Sequence, residues 1–149
     1  MANSIQYAKI VSVPSEKVDT NELAGRVRVA FAEYEAATEQ STVTMFTIPN
    51  GARILSSTLS YDALNSSTTM SVGHGAYVNS AGTTVALDVD EYKAAAASTS
   101  AETVVAADTI ALGRNSVVDA NEDGIPVTVT LAGANGAGTI QLQMLYVKD

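Results

Sequence analysis

The clearest group of side chains with the type and spacing of a chemical site lies at Asp119, Asn121, Asp123 and Gly124. They match the first half of a calcium-binding loop, D-x-N-x-D-G, in which alternate residues supply oxygen ligands and glycine permits a sharp turn. The twelfth position of such a loop is a bidentate glutamate, whereas here it is Thr130. We therefore expect a polar turn without a bound metal, and calcium binding by Asp119, Asn121 and Asp123 is the alternative.

The only histidine, His74, is set between Gly73 and Gly75. Glycines beside a strand residue are typical of a bulge or bend, which predicts an imidazole that is turned outward. A catalytic triad also needs a nucleophile and an acid, and no spacing in the chain identifies them. We interpret His74 as a structural residue. The single histidine, the absence of cysteine and the absence of a clustered acid pair predict that the chain is not an enzyme.

Two further patterns could bind a ligand. The glycine-rich loop at residues 133–138 has the wrong glycine order for a dinucleotide site and precedes a strand rather than a helix, so we expect no cofactor. Aromatic platforms bind sugars in some β modules, but the chain has no tryptophan and its tyrosines do not cluster in the sequence. We favour interface anchors as the role of the tyrosines, since tyrosine buries a large area and keeps one polar group. They are Tyr7, Tyr34, Tyr61, Tyr77, Tyr92 and Tyr146.

The composition narrows the class of protein. The 149 residues suffice for one domain. Charged residues make up 16% of the chain, below the typical ~25%, and the resulting surface of small polar residues loses little when it is desolvated. The net charge of −8 argues against nucleic-acid binding. No segment approaches the ~20 apolar residues of a membrane span, and we expect no signal peptide.

Alternating apolar residues predict strands from position 26 onwards. In the first strand Val27, Val29 and Phe31 share one face, while Arg26 and Arg28 share the other. A later strand places Leu55, Leu59 and Tyr61 on one face. We predict these strands at about 26–34, 42–48, 52–64, 83–89, 102–108, 109–112, 125–131 and 140–146, and a further strand that Met70 and Val72 lead and that glycines break. The alanine-rich residues 91–98 favour at most two turns of helix, or a loop, after a capping Asp90.

Roughly eight short strands joined by Gly, Asn and Ser turns predict an all-β fold. We expect an antiparallel β-sandwich of jelly-roll type over residues 26–149, with an extended N-terminal arm at residues 1–25. No helix is long enough for the crossovers of a parallel sheet. The arm is either a segment that frays or forms an edge strand, or one that reaches a neighbouring subunit. In the second case its contacts would be Tyr7, Lys9, Ile10, Val11, Val13 and Lys17.

Two segments resemble small structural proteins of tailed bacteriophages. The stretch TIPNGARILSSTLSYDAL, followed by TTMSVGHGAY, is similar to a "(I/L)P-x-GARI" turn, a strand that ends in "DAL" and a strand of "xSVG" type. The segment GIPVTVTLAGANGAGTIQLQMLYV resembles the closing hairpin of those proteins, with its "V-T-V" strand and "GTI-x-L" strand. The resemblance covers residues 44–147 and leaves out the first 25 residues and residues 88–100.

The resemblance implies a virion head protein, made in the cytoplasm of a bacterial host, that decorates or cements the outer surface of a capsid. Its expected partner is the major capsid protein, and its expected state is a homotrimer seated where capsomers meet. No nucleic acid, membrane or cofactor is expected as a partner. The alternatives are a head-fibre base, a tail or adsorption component, or a carbohydrate- or calcium-binding β module.

Overall fold

The computed structural model of this chain describes residues 4–19, 22–23 and 25–148. The helical elements of these residues are α1 (Ile5–Val11) and one 3-10 turn (Ile110–Leu112). The strands are β1 (Val27–Glu39), β2 (Thr42–Ile48), β3 (Arg53–Tyr61), β4 (Thr69–His74), β5 (Tyr77–Val78), β6 (Thr84–Val85), β7 (Asp88–Ala97), β8 (Glu102–Ala106), β9 (Ile125–Ala132) and β10 (Gly136–Val147).

The long strands of the described residues form two four-stranded antiparallel sheets. Sheet A has the order β1-β10-β3-β8, and sheet B has the order β2-β9-β4-β7. Strands β1 to β4 alternate between the sheets, and β7 to β10 return in the reverse order, so each strand lies beside a partner distant in sequence. This topology is a jelly roll. It confirms the predicted all-β antiparallel sandwich, while β5 and β6 add a small separate ribbon.

The core lies between the facing sides of the two sheets. Leu59 and Leu142 are opposite each other on β3 and β10, and Val72 and Val129 are opposite on β4 and β9. All four side chains are almost fully buried, and each such burial contributes about 1.5–3 kcal/mol to the folded state. The alternation predicted for β10 is confirmed, since this strand buries Ile140, Leu142 and Met144. Strand β9 buries Val127, Val129 and Leu131 as predicted, but Thr128, which was expected on the opposite face, is buried as well.

Strand β3 differs from its predicted pattern at one end. The register between β3 and β10 shifts between Leu145 and Tyr146, which pair with Ser56 and Ile54. Leu55 is therefore the extra residue of a bulge, and a bulge reverses the faces of the residues beyond it. As a consequence Ile54 is buried in the core, while Leu55 is only half-buried and does not share the face of Leu59.

The helix or loop predicted for residues 91–98 is wrong, because these residues continue strand β7. Met70 and Val72 of β4 pair with Ala96 and Lys93 of β7. The ladder supplies backbone hydrogen bonds that an isolated two-turn helix could not sustain in water. The helix preference of alanine is weak and is overridden by this tertiary contact.

Two predicted strands are also shorter or absent. The strand expected at residues 83–89 is interrupted: residues 84–85 form β6, which pairs only with β5, residues 88–89 begin β7, and Leu87 between them is exposed. The strand expected at residues 109–112 is the 3-10 turn instead. The Oγ1 of Thr109 accepts a hydrogen bond from the N–H of Leu112 at 3.2 Å and thereby caps this turn.

The N-terminal arm contains a helix that the sequence did not predict. The Oγ of Ser4 accepts a hydrogen bond from the N–H of Tyr7 at 3.2 Å, which satisfies one free donor at the start of α1. Glu22 lies 3.2 Å from the Nζ of Lys9 and 3.8 Å from the Nη2 of Arg53, so its carboxylate links the arm to the start of β3. No helix in the described ranges is long and apolar enough to cross a membrane.

Candidate functional site

The outer face of sheet A carries an exposed apolar patch. Val27, Val29 and Phe31 are 60%, 57% and 57% exposed. Val29 pairs with Leu145 of β10, which lies on the same face because directly opposite residues of an antiparallel pair point the same way. Alternation in β1 is therefore real, but its larger apolar residues point away from the core. We call Val27, Val29, Phe31 and Leu145 the outer-face patch.

The opposite side of β1 explains why the patch faces outward. Ala30, Tyr34 and Ala36 are the β1 residues that pack against the core. They fill the space over β10 with mostly small side chains, so the large residues of β1 are left on the outer face. Burying the exposed part of Val29 and Phe31 on assembly would contribute about 1–2 kcal/mol each. The patch is therefore exposed apolar surface that another protein surface would bury on contact.

The same outer face becomes acidic at its other end. Here an open groove of about 720 Å³ is lined in part by Glu33, Asp62, Glu102 and Gln141. The Nε2 of Gln141 donates to the Oε2 of Glu33 at 2.7 Å, and the N–H of Thr139 donates to the Oδ2 of Asp62 at 3.1 Å. These carboxylates have partners within the chain, and the groove is shallow. It therefore serves better as a polar rim to the outer-face patch than as a ligand site.

The arm presents four of its six predicted contact residues as exposed apolar side chains. Tyr7, Ile10, Val11 and Val13 are all exposed, Val13 almost completely. Lys9 is instead held by Glu22 at 3.2 Å, while Lys17 is exposed. The arm thus has apolar surface available for docking, and Lys9 acts within the chain. Contact of these residues with another subunit stays a prediction.

The structure buries His74, so the predicted outward imidazole is wrong. Strand β4 pairs with β9 in unbroken register, and His74 lies opposite Val127 with only 8% of its surface exposed. Its Nδ1 lies 2.9 Å from the carbonyl oxygen of Gly75, which accepts the hydrogen bond. The glycines permit close approach of neighbouring backbone and do not break the strand on its β9 side.

Two tyrosine rings surround this imidazole. The ring of Tyr77 lies 5.2 Å from it, centroid to centroid, at an interplanar angle of 80°, and the ring of Tyr92 lies at 6.4 Å and 64°. Perpendicular arrangements of this kind are favoured by the ring quadrupoles. Sequence reasoning did not find this cluster, because Tyr77 and Tyr92 are brought to His74 by the β5 segment and by strand β7.

The Asp119–Gly124 loop forms a polar turn. The Oδ1 of Asp119 accepts from the N–H of Ser80 at 3.2 Å, whereas the Nδ2 of Asn121 donates to the Oδ2 of Asp123 at 3.0 Å. Asp119 lines a different cleft from Asn121 and Asp123. Among the described residues, no three acidic or histidine side chains are grouped in a way that could hold a metal ion. The loop geometry favours the turn over calcium binding.

The segments that carry the phage resemblance have structural roles. In the Pro49-Asn50-Gly51 turn, Gly51 has φ +76°, and the next residue, Ala52, is fully buried. The Oδ1 of Asn50 accepts a hydrogen bond from the N–H of Ala120 at 3.3 Å. These residues fix the path of the chain from β2 to β3. They place no chemically reactive group at the surface.

The fold is shared with solved structures of phage capsids. No protein-family model matches the sequence, and no curated protein sequence matches it. A chain in the structure of the cyanophage Pam1 capsid asymmetric unit is 19% identical, with a TM-score of 0.59 over 84% of this chain and 86% of that one. A chain in the capsid of Ralstonia phage GP4 is 20% identical, with a TM-score of 0.61 over the same shares.

A third structure extends this comparison. A chain in the acid-stable capsid of Helicobacter pylori bacteriophage KHP30 is 15% identical, with a TM-score of 0.54 over 82% of this chain and 87% of that one. At these identities the comparisons establish a common fold. This chain therefore has the β-sandwich fold of chains found in three phage capsid structures.

Proposed function

We propose that this protein is a virion structural protein that decorates and cements a phage capsid. The observation that carries the proposal is the common fold, which spans 84% of this chain and 86% of the chains in two capsid structures. The neighbouring chains are covered almost end to end, so the likeness extends over whole domains. The sequence motifs of the β2–β3 turn and the closing hairpin support the same assignment.

The surface of the domain suits assembly. The outer-face patch and the apolar residues of the arm lie on a chain in which only 16% of the residues are charged. Burying such a surface requires few ions to lose their water. A protein that spends its life packed against others benefits from this composition, whereas a freely soluble monomer gains nothing from the exposed Phe31.

We infer that three copies associate through the outer-face patch. Strand β1 is the edge strand of sheet A over 13 residues, and an edge strand with an apolar face can contact a neighbouring copy without any change in fold. A ring of three heterologous contacts closes and leaves no free patch. In this arrangement each copy contributes β1 to one contact and accepts its neighbour at the other.

The arm supplies the contact with the capsid in this proposal. Tyr7, Ile10, Val11 and Val13 would dock on the major capsid protein at the outer surface of the virion, and the exposed Lys17 would add a polar contact. Each arm contact is weak by itself. Three arms on one trimer raise the overall affinity, because binding of the first increases the effective concentration of the other two.

Cosedimentation tests this function. The purified protein is mixed with capsids of the phage that encodes it, prepared without this protein, and the particles are pelleted. We expect saturable pelleting at a copy number divisible by three. Protein that stays in the supernatant at micromolar concentration, or that pellets only with tails, would contradict a cement role.

A further inference from the structure

A cleft at one end of the sandwich combines aromatic rings with carboxylates. It is lined in part by His74, Tyr77, Tyr92, Glu91 and Asp119, and it has a volume of about 180 Å³. This is the volume of about six molecules of liquid water. An ammonium or guanidinium group, with the methylenes next to it, would fill such a space. None of the residues that line the cleft belongs to the outer-face patch or to the arm.

The inner part of the cleft is aromatic and largely buried. Tyr92 and His74 are only 4% and 8% exposed, and Tyr77 is half-buried. The Nδ1–H of His74 donates to the carbonyl oxygen of Gly75 at 2.9 Å, which fixes the orientation of the imidazole ring. The rings of His74, Tyr77 and Tyr92 therefore line the same small space.

The mouth of the cleft carries negative charge. Glu91 and Asp119 both line it, and none of the residues lining it is a lysine or arginine. Burial raises the pKa of Tyr77, and the charges of Asp119 and Glu91 raise it further, so both carboxylates act on this ring. The Oδ1 of Asp119 accepts from the N–H of Ser80, which fixes the carboxylate at the rim. An anion is disfavoured here, whereas a cation gains from both the carboxylates and the rings.

We propose that this cleft binds a lysine or arginine side chain presented by a partner protein. The rings offer cation–π contacts, and the carboxylates at the rim pair with the charge. The partner would be another virion protein only if the proposed function holds, but the binding of the cationic side chain does not depend on that function. The cleft thus adds a specific polar contact to a surface otherwise adapted for apolar packing.

The binding is tested on the full chain without capsids. N-acetyl-arginine amide and N-acetyl-lysine amide are titrated while the NMR signals of ¹³C-labelled tyrosine and histidine rings are followed. We expect saturable shifts of the Tyr77, Tyr92 and His74 signals with a Kd on the order of 10 mM. N-acetyl-citrulline amide has nearly the same shape without the charge and should bind at least about fivefold more weakly. Absent shifts, or equal shifts with citrulline, would overturn the proposal.

Three variants locate the site. Asp119→Asn keeps an oxygen acceptor for Ser80 and removes only the charge, and Glu91→Gln does the same at the other side of the rim. Each should weaken arginine binding about threefold, and Tyr77→Leu about fivefold. Asp108→Asn makes the same charge change on an exposed loop and should leave binding unchanged. If the rim variants bind as tightly as the wild type and retain native spectra, the cleft is not the site.

The outcomes separate this inference from the proposed function. If arginine binds but the protein does not pellet with capsids, the cleft proposal holds and the cement role is rejected. If the protein pellets with capsids but does not bind arginine, the cement role holds and the cleft proposal is rejected. If both hold, the Asp119→Asn Glu91→Gln double variant should pellet with capsids at a protein concentration several times higher than the wild type requires.

Discussion

A Cβ atom placed on Gly73 would lie 2.0 Å from the backbone oxygen of Asp88. Strands β4 and β7 come this close because their register shifts between Val72 and His74. Gly73 is the glycine of the "SVG" segment that resembles phage structural proteins. Gly73 therefore allows two backbones to approach so closely that no side chain would fit at this position.

Gly73→Ala should destabilise the domain by about 3 kcal/mol or more, because the clash is with backbone and cannot be relieved by a rotamer change. Gly82→Ala is the control: no atom lies within 4 Å of its added Cβ, and only the φ of +80° opposes it, at a cost of about 1 kcal/mol. Urea unfolding of the two variants measures the difference. Equal losses of stability would show that β4 and β7 do not meet in this way.

The domain should lose stability in acid, and Asp88 should contribute to this loss. The N–H of Asp90 donates to the Oδ1 of Asp88 at 3.1 Å, and this hydrogen bond lowers the pKa of the Asp88 carboxyl. Burial raises this pKa in part, and the charge of His74 lowers it further. A carboxyl whose pKa is lower in the folded chain stabilises that chain at pH values above its pKa in the unfolded chain, which is about 3.9. This contribution is lost as the pH falls through the folded-state value.

Asp88→Asn keeps the oxygen acceptor but cannot take up a proton. The free energy of unfolding of this variant should therefore fall less steeply than that of the wild type as the pH falls below about 4. Asp108→Asn makes the same charge change at an exposed position and serves as the control. Parallel curves for Asp88→Asn and the wild type in urea unfolding at several pH values would contradict the role of Asp88.

Charges in the outer-face patch should separate the subunits without unfolding them. Val29 and Phe31 are both 57% exposed, so aspartate at both positions keeps the monomer folded but places two uncompensated charges in each contact. We expect the Val29→Asp Phe31→Asp variant to be a monomer by light scattering at a concentration where the wild type is a trimer. Val105→Asp, on the opposite edge strand β8 at 54% exposure, should stay trimeric. A monomeric wild type would reject the trimer itself.

Deletion of residues 1–20 should abolish capsid binding but preserve the trimer. The deletion removes α1 and the exposed Tyr7, Ile10, Val11 and Val13, while the core of the sandwich contains none of these residues. Light scattering should still report a trimer, and cosedimentation should report protein in the supernatant. A truncated chain that pellets as fully as the intact one would assign capsid contact to the sandwich instead.

Local sequence patterns correctly predicted those strands whose own preference for an extended conformation agrees with their pairing in the sheet. Val127, Val129 and Leu131 alternate, and pairing with two neighbours in the sheet buries them as the alternation requires. Residues 91–98 have a weak helix preference of their own, and only the distant strand β4 makes them extended. The predicted face of Leu55 is wrong for a similar reason, because the register with β10 produces a bulge that moves Ile54 into the core.

The surfaces were harder to predict than the core. The alternation of Val27, Val29 and Phe31 marks one face of a strand, but it cannot say whether that face meets the core or a partner. The cleft around His74 joins β4, β5, β7 and the loop before β9, and no local pattern links residues so far apart in the chain. Gly73 and Gly75 beside His74 predict a bend, whereas in the structure Gly73 allows the backbone of β7 to approach β4.

Electron cryomicroscopy of capsids mixed with the purified protein shows directly whether the protein decorates the outer surface of a capsid. We expect added three-lobed density on the outer surface of the capsid, into which three copies of the jelly roll fit as a closed ring with β1 of each copy against the next copy. Its arms should descend to the capsid shell. A bare shell at saturating protein concentration, or density confined to the tail, would contradict the assignment as a capsid decoration protein.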